Sequence, residues 1–236
     1  MKKGFTLIEI LLALAITATI ISFIYSSFFV TFKTYNALEY REKSFQNARA
    51  IFERLTNQFQ SSYFDYIPKL DLNKRNRVTY FIGIDNFEGS MPADRVIFST
   101  LAGGYQIIEG SGILPWGDSM DVDYFTELDS ETGLLNLYAR QDVTIDDDPM
   151  TGGISYPLVF GIKGINFRYY DGYTKEWKDT WDTRESGNWY LPSLVEVTLI
   201  IPNSNKNNVE EEDTGGIVLS DVIEIPFKVY YMKPNE

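Results

Sequence analysis

The stretch from Phe5 to Val30 contains no proline, no glycine and a single charged side chain, Glu9. As a helix rising ~1.5 Å per residue it reaches ~39 Å, against about 30 Å for the hydrocarbon core of a bilayer. It is long enough to span. Lys2 and Lys3 stand just before it, and basic residues favour the cytoplasmic side, so the N-terminus is expected inside and the remainder outside. A secretory signal peptide cut near Ala13-Leu14-Ala15 is the ordinary alternative. Against it, apolar residues run well past Ala15 and a carboxylate lies where an uncharged core belongs. A plain signal anchor fits the length and leaves Glu9 unexplained.

A carboxylate in a spanning helix costs roughly 2.5–3.5 kcal/mol, so it should meet a partner or serve a function. No basic side chain within the segment lies in helical reach of it. Cleavage between Gly4 and Phe5 would create a free α-amine one turn from Glu9, able to pair with Glu9 of the same chain or of a neighbour. A glutamate in a first helical turn also gains roughly 0.3–1 kcal/mol from the helix dipole. Lys3-Gly4-Phe5-Thr6-Leu7-Ile8-Glu9 resembles the prepilin cleavage and methylation motif of type IV pilins and type II secretion pseudopilins. The resemblance implies that an inner-membrane aspartyl peptidase, the prepilin peptidase, removes the leader after Gly4 and N-methylates Phe5. It also implies that Glu9 serves in subunit docking.

The chain has no cysteine and no histidine, which excludes Ser-His-Asp and Cys-His nucleophilic machinery and the usual zinc sites. A net charge of −12 speaks against nucleic acid, whose binding rests on clustered Lys and Arg. An enzyme would have to work with carboxylates, Tyr, Ser, Thr or Lys, and the acids here are scattered through loops without a local signature. Asp146-Asp147-Asp148 with Asp142 invites a calcium reading, but an EF-hand loop needs a glycine at its sixth position and a closing glutamate. A solvated acidic loop is expected there, as at Glu210-Glu211-Glu212-Asp213. No catalytic residue, metal or cofactor is expected.

Phe45, Ala48, Phe52, Leu55 and Phe59 recur at spacings of 3 and 4, an apolar stripe on a helical period, with Arg41, Glu42, Lys43, Arg49, Glu53 and Arg54 on the other side. The helix is therefore expected to continue to about Ser61 and to end by Asp65 to Pro68. Beyond Asn76 the pattern changes to short runs typical of strands: 78–82, 95–100, 122–126, 134–140, 165–170, 194–201 and 222–231. Alternation of Ile223, Ile225, Phe227, Val229 and Tyr231 with Glu224 and Lys228 marks the last of them. Asp129 to Gly133 reads as a hairpin loop, and Asn203 to Gly216 as a polar loop. The expectation is an α+β fold: a long N-terminal helix packed through its outer half on antiparallel sheet. Its parts are a leader at 1–4, a transmembrane helix at 5–30, its amphipathic continuation at 31–61 and a β-rich body at 62–236.

Within the body, Phe167-Arg168-Tyr169-Tyr170-Asp171-Gly172, Trp177, Trp181, Leu191-Pro192 and Val195-Glu196-Val197 resemble the C-terminal region of the J-type minor pseudopilin of type II secretion. That resemblance implies a pilin-like periplasmic domain on a single-pass inner-membrane anchor, joined with I-type and K-type partners at the pseudopilus tip, where it promotes secretion across the outer membrane. Glu9 argues against the K-type, which usually lacks its equivalent. A minor pilin of a type IV pilus or competence system is the alternative. A membrane-anchored glycan-binding module is the second: Trp177, Trp181 and Trp189 with Tyr169, Tyr170 and Tyr190 would supply flat rings with polar edges. The expectation for those rings is that they fill and rim the sheet's core, or else anchor a partner subunit.

Overall fold

The computed structural model describes residues 6–64, 79–108, 112–116, 119–143, 148, 150–184, 190–203 and 215–226. Among the described residues there is one helix, α1, which runs Leu7–Gln60. Two compact units divide the chain, Met1–Ser44 and Phe45–Glu236.

In the first unit the helix is exposed from Leu7 to Glu39, with Leu7 to Val30 offering an apolar surface on every side. Such a surface is stable in lipid and not in water.

The second unit begins with the last turns of α1 and continues in strands. They are β1 (Phe81–Ile84), β2 (Phe87–Glu88), β3 (Met91–Pro92), β4 (Arg95–Thr100), β5 (Gly104–Ile108), β6 (Gly112–Trp116) and β7 (Met120–Leu128). After these come β8 (Leu135–Asp142), β9 (Ile154–Ile162), β10 (Gly164–Asp171), β11 (Glu176–Lys178), β12 (Trp181–Asp182), β13 (Leu194–Pro202) and β14 (Gly216–Glu224). A six-stranded sheet has the order β12-β1-β4-β7-β8-β9, and a four-stranded sheet the order β11-β10-β13-β14. β2–β3 and β5–β6 are separate hairpins. All the strand pairs are antiparallel.

The core joins helix and both sheets. Ala48, Ile51, Leu55 and Phe59 of α1 are buried with Phe81, Phe98, Tyr124, Phe167, Tyr169, Val195 and Val197. Phe59 stacks on Phe98 at 4.6 Å and meets Phe167 edge-on at 6.3 Å. Each such ring contributes roughly 1.5–3 kcal/mol by leaving water. The apolar stripe is therefore rotated from the one expected: Ile51 and Gln58 are buried, Phe52 is half-buried and Phe45 is exposed. Gln58 is tolerated inside because its side-chain oxygen accepts from the Tyr124 hydroxyl.

The helix ends by being stitched to β4. Thr100 Oγ1 donates to the Gln58 carbonyl at 2.9 Å, and the Leu101 amide to that of Ser61 at 2.9 Å, satisfying carbonyls that a helix end leaves open. Asp65 to Pro68, expected as the terminator, lie outside the described residues.

Asp94 ties the two sheets together. Its carboxylate accepts from the Asn86 amide at 3.1 Å and the Phe167 amide at 2.7 Å, and its own amide donates to Ile165 O at 3.2 Å. Tyr169 crosses Gly83 so closely that a β-carbon there would lie 2.2 Å from its hydroxyl; only glycine leaves that passage open.

The strands at 95–100, 122–126, 134–140, 165–170 and 194–201 fall as expected, within a residue or two. The first strand is displaced, covering Phe81–Ile84 instead of 78–82, and Val78 lies outside the described residues. The last begins at Gly216, inside the expected loop, and stops at Glu224, with Pro226 removing a backbone donor just beyond. Phe227, Val229 and Tyr231 are outside the described residues. β9 was not expected, since Pro157 and Gly161 interrupt its pattern; it is tolerated because β9 is an edge strand. The hairpin at Asp129–Gly133 is present, with Gly133 at φ 62°.

Candidate assembly site

The first turn of α1 holds Glu9, the residue expected to serve in subunit docking. Gly4 and Phe5, the expected processing pair, lie outside the described residues. Thr6 precedes the helix and Glu9 lies in its first turn. Glu9 Oε2 accepts from the Thr6 amide at 2.9 Å and the Thr6 hydroxyl at 3.1 Å, while the Glu9 amide donates to Thr6 Oγ1 at 3.4 Å. This is a reciprocal capping box, which satisfies amides that a helix start leaves without partners.

Glu9 thus has a partner inside the segment, a neutral donor and not a basic side chain. The signal was readable: Thr6-x-x-Glu9 is the Thr-x-x-Glu capping pattern. Hydrogen bonds from neutral donors do not cancel the carboxylate's charge. Both fall on Oε2, and a carboxylate offers about four acceptor positions, so an ammonium can be added without dismantling the cap.

Further along, hydroxyls are folded back on the helix. Thr17 donates to Ala13 O, Thr19 to Ala15 O and Ser22 to Ala18 O, at 2.8, 2.8 and 2.9 Å. That makes them compatible with lipid. Ala18, Thr19, Ser22, Phe23 and Ser26 line a groove on the helix surface, the type of small-residue surface that lets two helices approach closely.

In the body, the pattern from Phe167 to Val195 splits between opposite faces of the four-stranded sheet. Phe167, Tyr169 and Val195 point into the core, where Trp181 and Leu191 are also buried. Tyr170 and Trp177 pair on the other face at 5.3 Å, with the Arg168 guanidinium 5.6 Å from the Trp177 ring. Pro192 is buried beside Leu191 and precedes the entry to β13. The rings do not form one platform, because Tyr169 and Trp181 are inside and Tyr170 and Trp177 outside. Trp189 is outside the described residues, and Tyr190 is half-buried against Trp181.

Asp171 and Gly172 organise the turn from β10 to β11. The Asp171 carboxylate, fully buried, accepts from the amides of Tyr173 at 2.8 Å and Thr174 at 3.2 Å, from Lys178 Nζ at 2.8 Å and from the Tyr190 hydroxyl at 2.9 Å. Burial alone would raise its pKa, but the bonds from Lys178, Tyr173, Tyr190 and Thr174 together hold it at about 2. Asp171 is saturated and works as a staple.

Among the described residues no group of three or more His, Cys, Asp or Glu side chains is arranged to hold a metal ion. Asp146, Asp147 and Glu210 to Asp213 lie outside them.

Residues 1–25 match the family model of the prokaryotic N-terminal methylation motif. The match supports a type IV pilin-like or pseudopilin chain. Such chains are structural subunits and not enzymes, made as precursors for the prepilin peptidase and assembled with other pilin-like subunits. The exposed apolar helix near the N-terminus fits a single-pass membrane anchor, and the long helix followed by antiparallel sheets is a pilin-like α+β architecture. No curated protein matches the chain.

Proposed function

We propose that this chain is a minor pseudopilin of the type II secretion system, of the J-type, assembling with I-type and K-type partners at the pseudopilus tip. The observation that carries the reading is Glu9: the single charge in the apolar segment, inside a matched methylation motif. The precursor enters the inner membrane with Lys2 and Lys3 on the cytoplasmic side. The prepilin peptidase cuts between Gly4 and Phe5 and methylates the new N-terminus. The Phe5 ammonium, on this chain or a neighbour, then meets a carboxylate that Thr6 already holds at the helix start. A desolvated pair of this kind serves register more than stability.

The helix exchanges lipid contact for contact with neighbouring helices, and the body stays in the periplasm. The run from Phe167 to Val197 supports the J-type assignment, the core half of it fixing the fold and Tyr170 and Trp177 leaving aromatic surface for a partner.

Gly4→Leu should leave a full-length precursor by mass, and a normally trimmed product would remove the peptidase from the account. Glu9→Leu should insert normally yet fail to join its partners; unimpaired assembly would remove the docking role. Co-purification of the full chain with I-type and K-type subunits, against pilins of a type IV system as the comparison, decides which system it serves.

A further inference from the structure

The two large sheets have four outer edges, and three are protected. β12 has two residues and β11 three, too short to template another strand. β9 carries Pro157, pairs with β8 through register shifts and holds Gly161 at φ 74°. Native proteins use these same devices, short strands, proline and bulges, to blunt an edge.

β14 has none of them. It pairs with β13 over nine consecutive residues without a break, Leu194↔Glu224 through Pro202↔Gly216. It has no proline, and its outward face carries Val218 at 61% exposure and Val222 at 48%. Among the described residues no strand pairs with its outer side.

The sequence of this edge is nearly a palindrome. Ile217-Val218-Leu219-Ser220-Asp221-Val222-Ile223 reads almost the same in both directions about Ser220. Antiparallel pairing of two such strands centred on Ser220 sets Val218 against Val222 and Ile217 against Ile223, each twice. Hydrophobic matching of this kind is what fixes strand register.

Charge agrees with it. Asp221 then faces Leu219 and Glu224 faces Gly216, so no like charges are opposed. Lys163 lies at that same corner: its Nζ donates to Gly215 O at 2.7 Å, and a β-carbon on Gly216 would lie 3.4 Å from its stem. Glu224 of one copy would arrive beside Lys163 of the other, on both sides of the two-fold axis.

We propose that β14 is a homodimerisation edge: two copies of this chain pair antiparallel through β14 about a two-fold axis at Ser220, merging their four-stranded sheets into one. The contact is isologous and closed, which uses up the edge and does not propagate. It rests on the body alone and is independent of processing at Gly4 or docking through Glu9.

The natural chain has no cysteine, so single substitutions report contacts without background. Residues directly opposed on antiparallel strands have Cα atoms about 4.5–5.5 Å apart, inside the range a disulfide bridges. Full-length Ser220→Cys, oxidised in its native membrane with copper phenanthroline, should become a covalent dimer of this chain. Thr198→Cys lies one strand inboard, on the same row, and its two copies would stand about 14 Å apart, three strand spacings, so it should not link. For register, Val218→Cys alone should stay monomeric and Val218→Cys/Val222→Cys should link. Val218→Lys/Val222→Lys placed with Ser220→Cys should lower the linked fraction at least tenfold.

Failure of both Ser220→Cys and the Val218→Cys/Val222→Cys pair to link would overturn the proposal. So would equal linking at Thr198→Cys, a mass showing a different chain as the captured partner, or linking indifferent to the two lysines. Glu9→Leu should leave the cross-link intact while impairing assembly, which separates this edge from the N-terminal reading.

Discussion

Asp94→Asn separates the electrostatic cost of this side chain from its role in joining the sheets. Asp94 is 1% exposed, and its carboxylate accepts two amides, from Asn86 and Phe167. Burial raises its pKa from 3.8 to about 6; the two amide bonds offset part of the rise, and the charges of Asp85 and Asp179 add to it. At 1.36 kcal/mol per pKa unit that rise is worth ~3 kcal/mol. The folded protein holds this proton more tightly than the unfolded chain does, so stability should increase as pH falls from about 6 toward 4. Above about pH 6 both states are ionised and the whole penalty applies; below about pH 4 both are protonated and it is gone.

With no histidine in the chain, no imidazole titrates in that window. The assay is urea unfolding of the full chain in detergent micelles at pH 7 and pH 4.5, followed by tryptophan fluorescence. All four tryptophans, Trp116, Trp177, Trp181 and Trp189, lie in the second unit. Wild type should gain about 2 kcal/mol at the lower pH. Asp94→Asn should gain far less, because an amide does not titrate, although its carbonyl can still accept one of the two backbone bonds. Equal gains in the two proteins, or a loss in wild type, would refute the reasoning and place the acid response in the general relief of negative charge.

Asp171 should respond with the opposite sign. Its pKa is held at about 2 in the fold, so its stabilisation of ~2 kcal/mol is complete above about pH 4 and disappears as pH falls toward 2. Asp171→Asn should lose about that amount at pH 7 and show a flatter acid limb in the same assay. The Tyr169 hydroxyl is buried and finds no hydrogen-bond partner among the described residues. Tyr169→Phe should therefore be no less stable than wild type and up to about 1 kcal/mol more so by urea unfolding, since an unsatisfied buried polar group costs roughly 1–3 kcal/mol. Thr6→Ala removes the cap at the start of α1 and should cost about 1 kcal/mol locally. Hydrogen exchange at the Leu7 to Glu9 amides should be faster by roughly fivefold, with no change near Leu55.

What the sequence determined by itself is local and periodic. The apolar run, its basic flank, Glu9 and the Lys-Gly-Phe-Thr-Leu-Ile-Glu motif are contiguous, so the anchor was legible without a fold. β13, whose buried positions alternate, and β4, a short continuous apolar run, are contiguous too and were legible for the same reason. The capping box is equally local, since Thr6 and Glu9 are three residues apart, and it answers the carboxylate with neutral donors and not with a counter-charge.

Tertiary structure decided whatever depends on residues far apart in the chain. Which face of α1 is buried was set by the sheets it meets: Phe59 packs on Phe98 and Phe167, Ile51 joins the same core, and Phe45 stays exposed. The split of Tyr169 from Tyr170, one to the core and one to the open face, follows from strand period, but which face is which required the sheet's position. Asp94 became an acid of raised pKa only when folding buried it, the amides of Asn86 and Phe167 offsetting part of the cost. Pro157 hid β9 from pattern reading because a proline is acceptable in a strand only at an edge, and edges exist only once strands have been ordered into sheets.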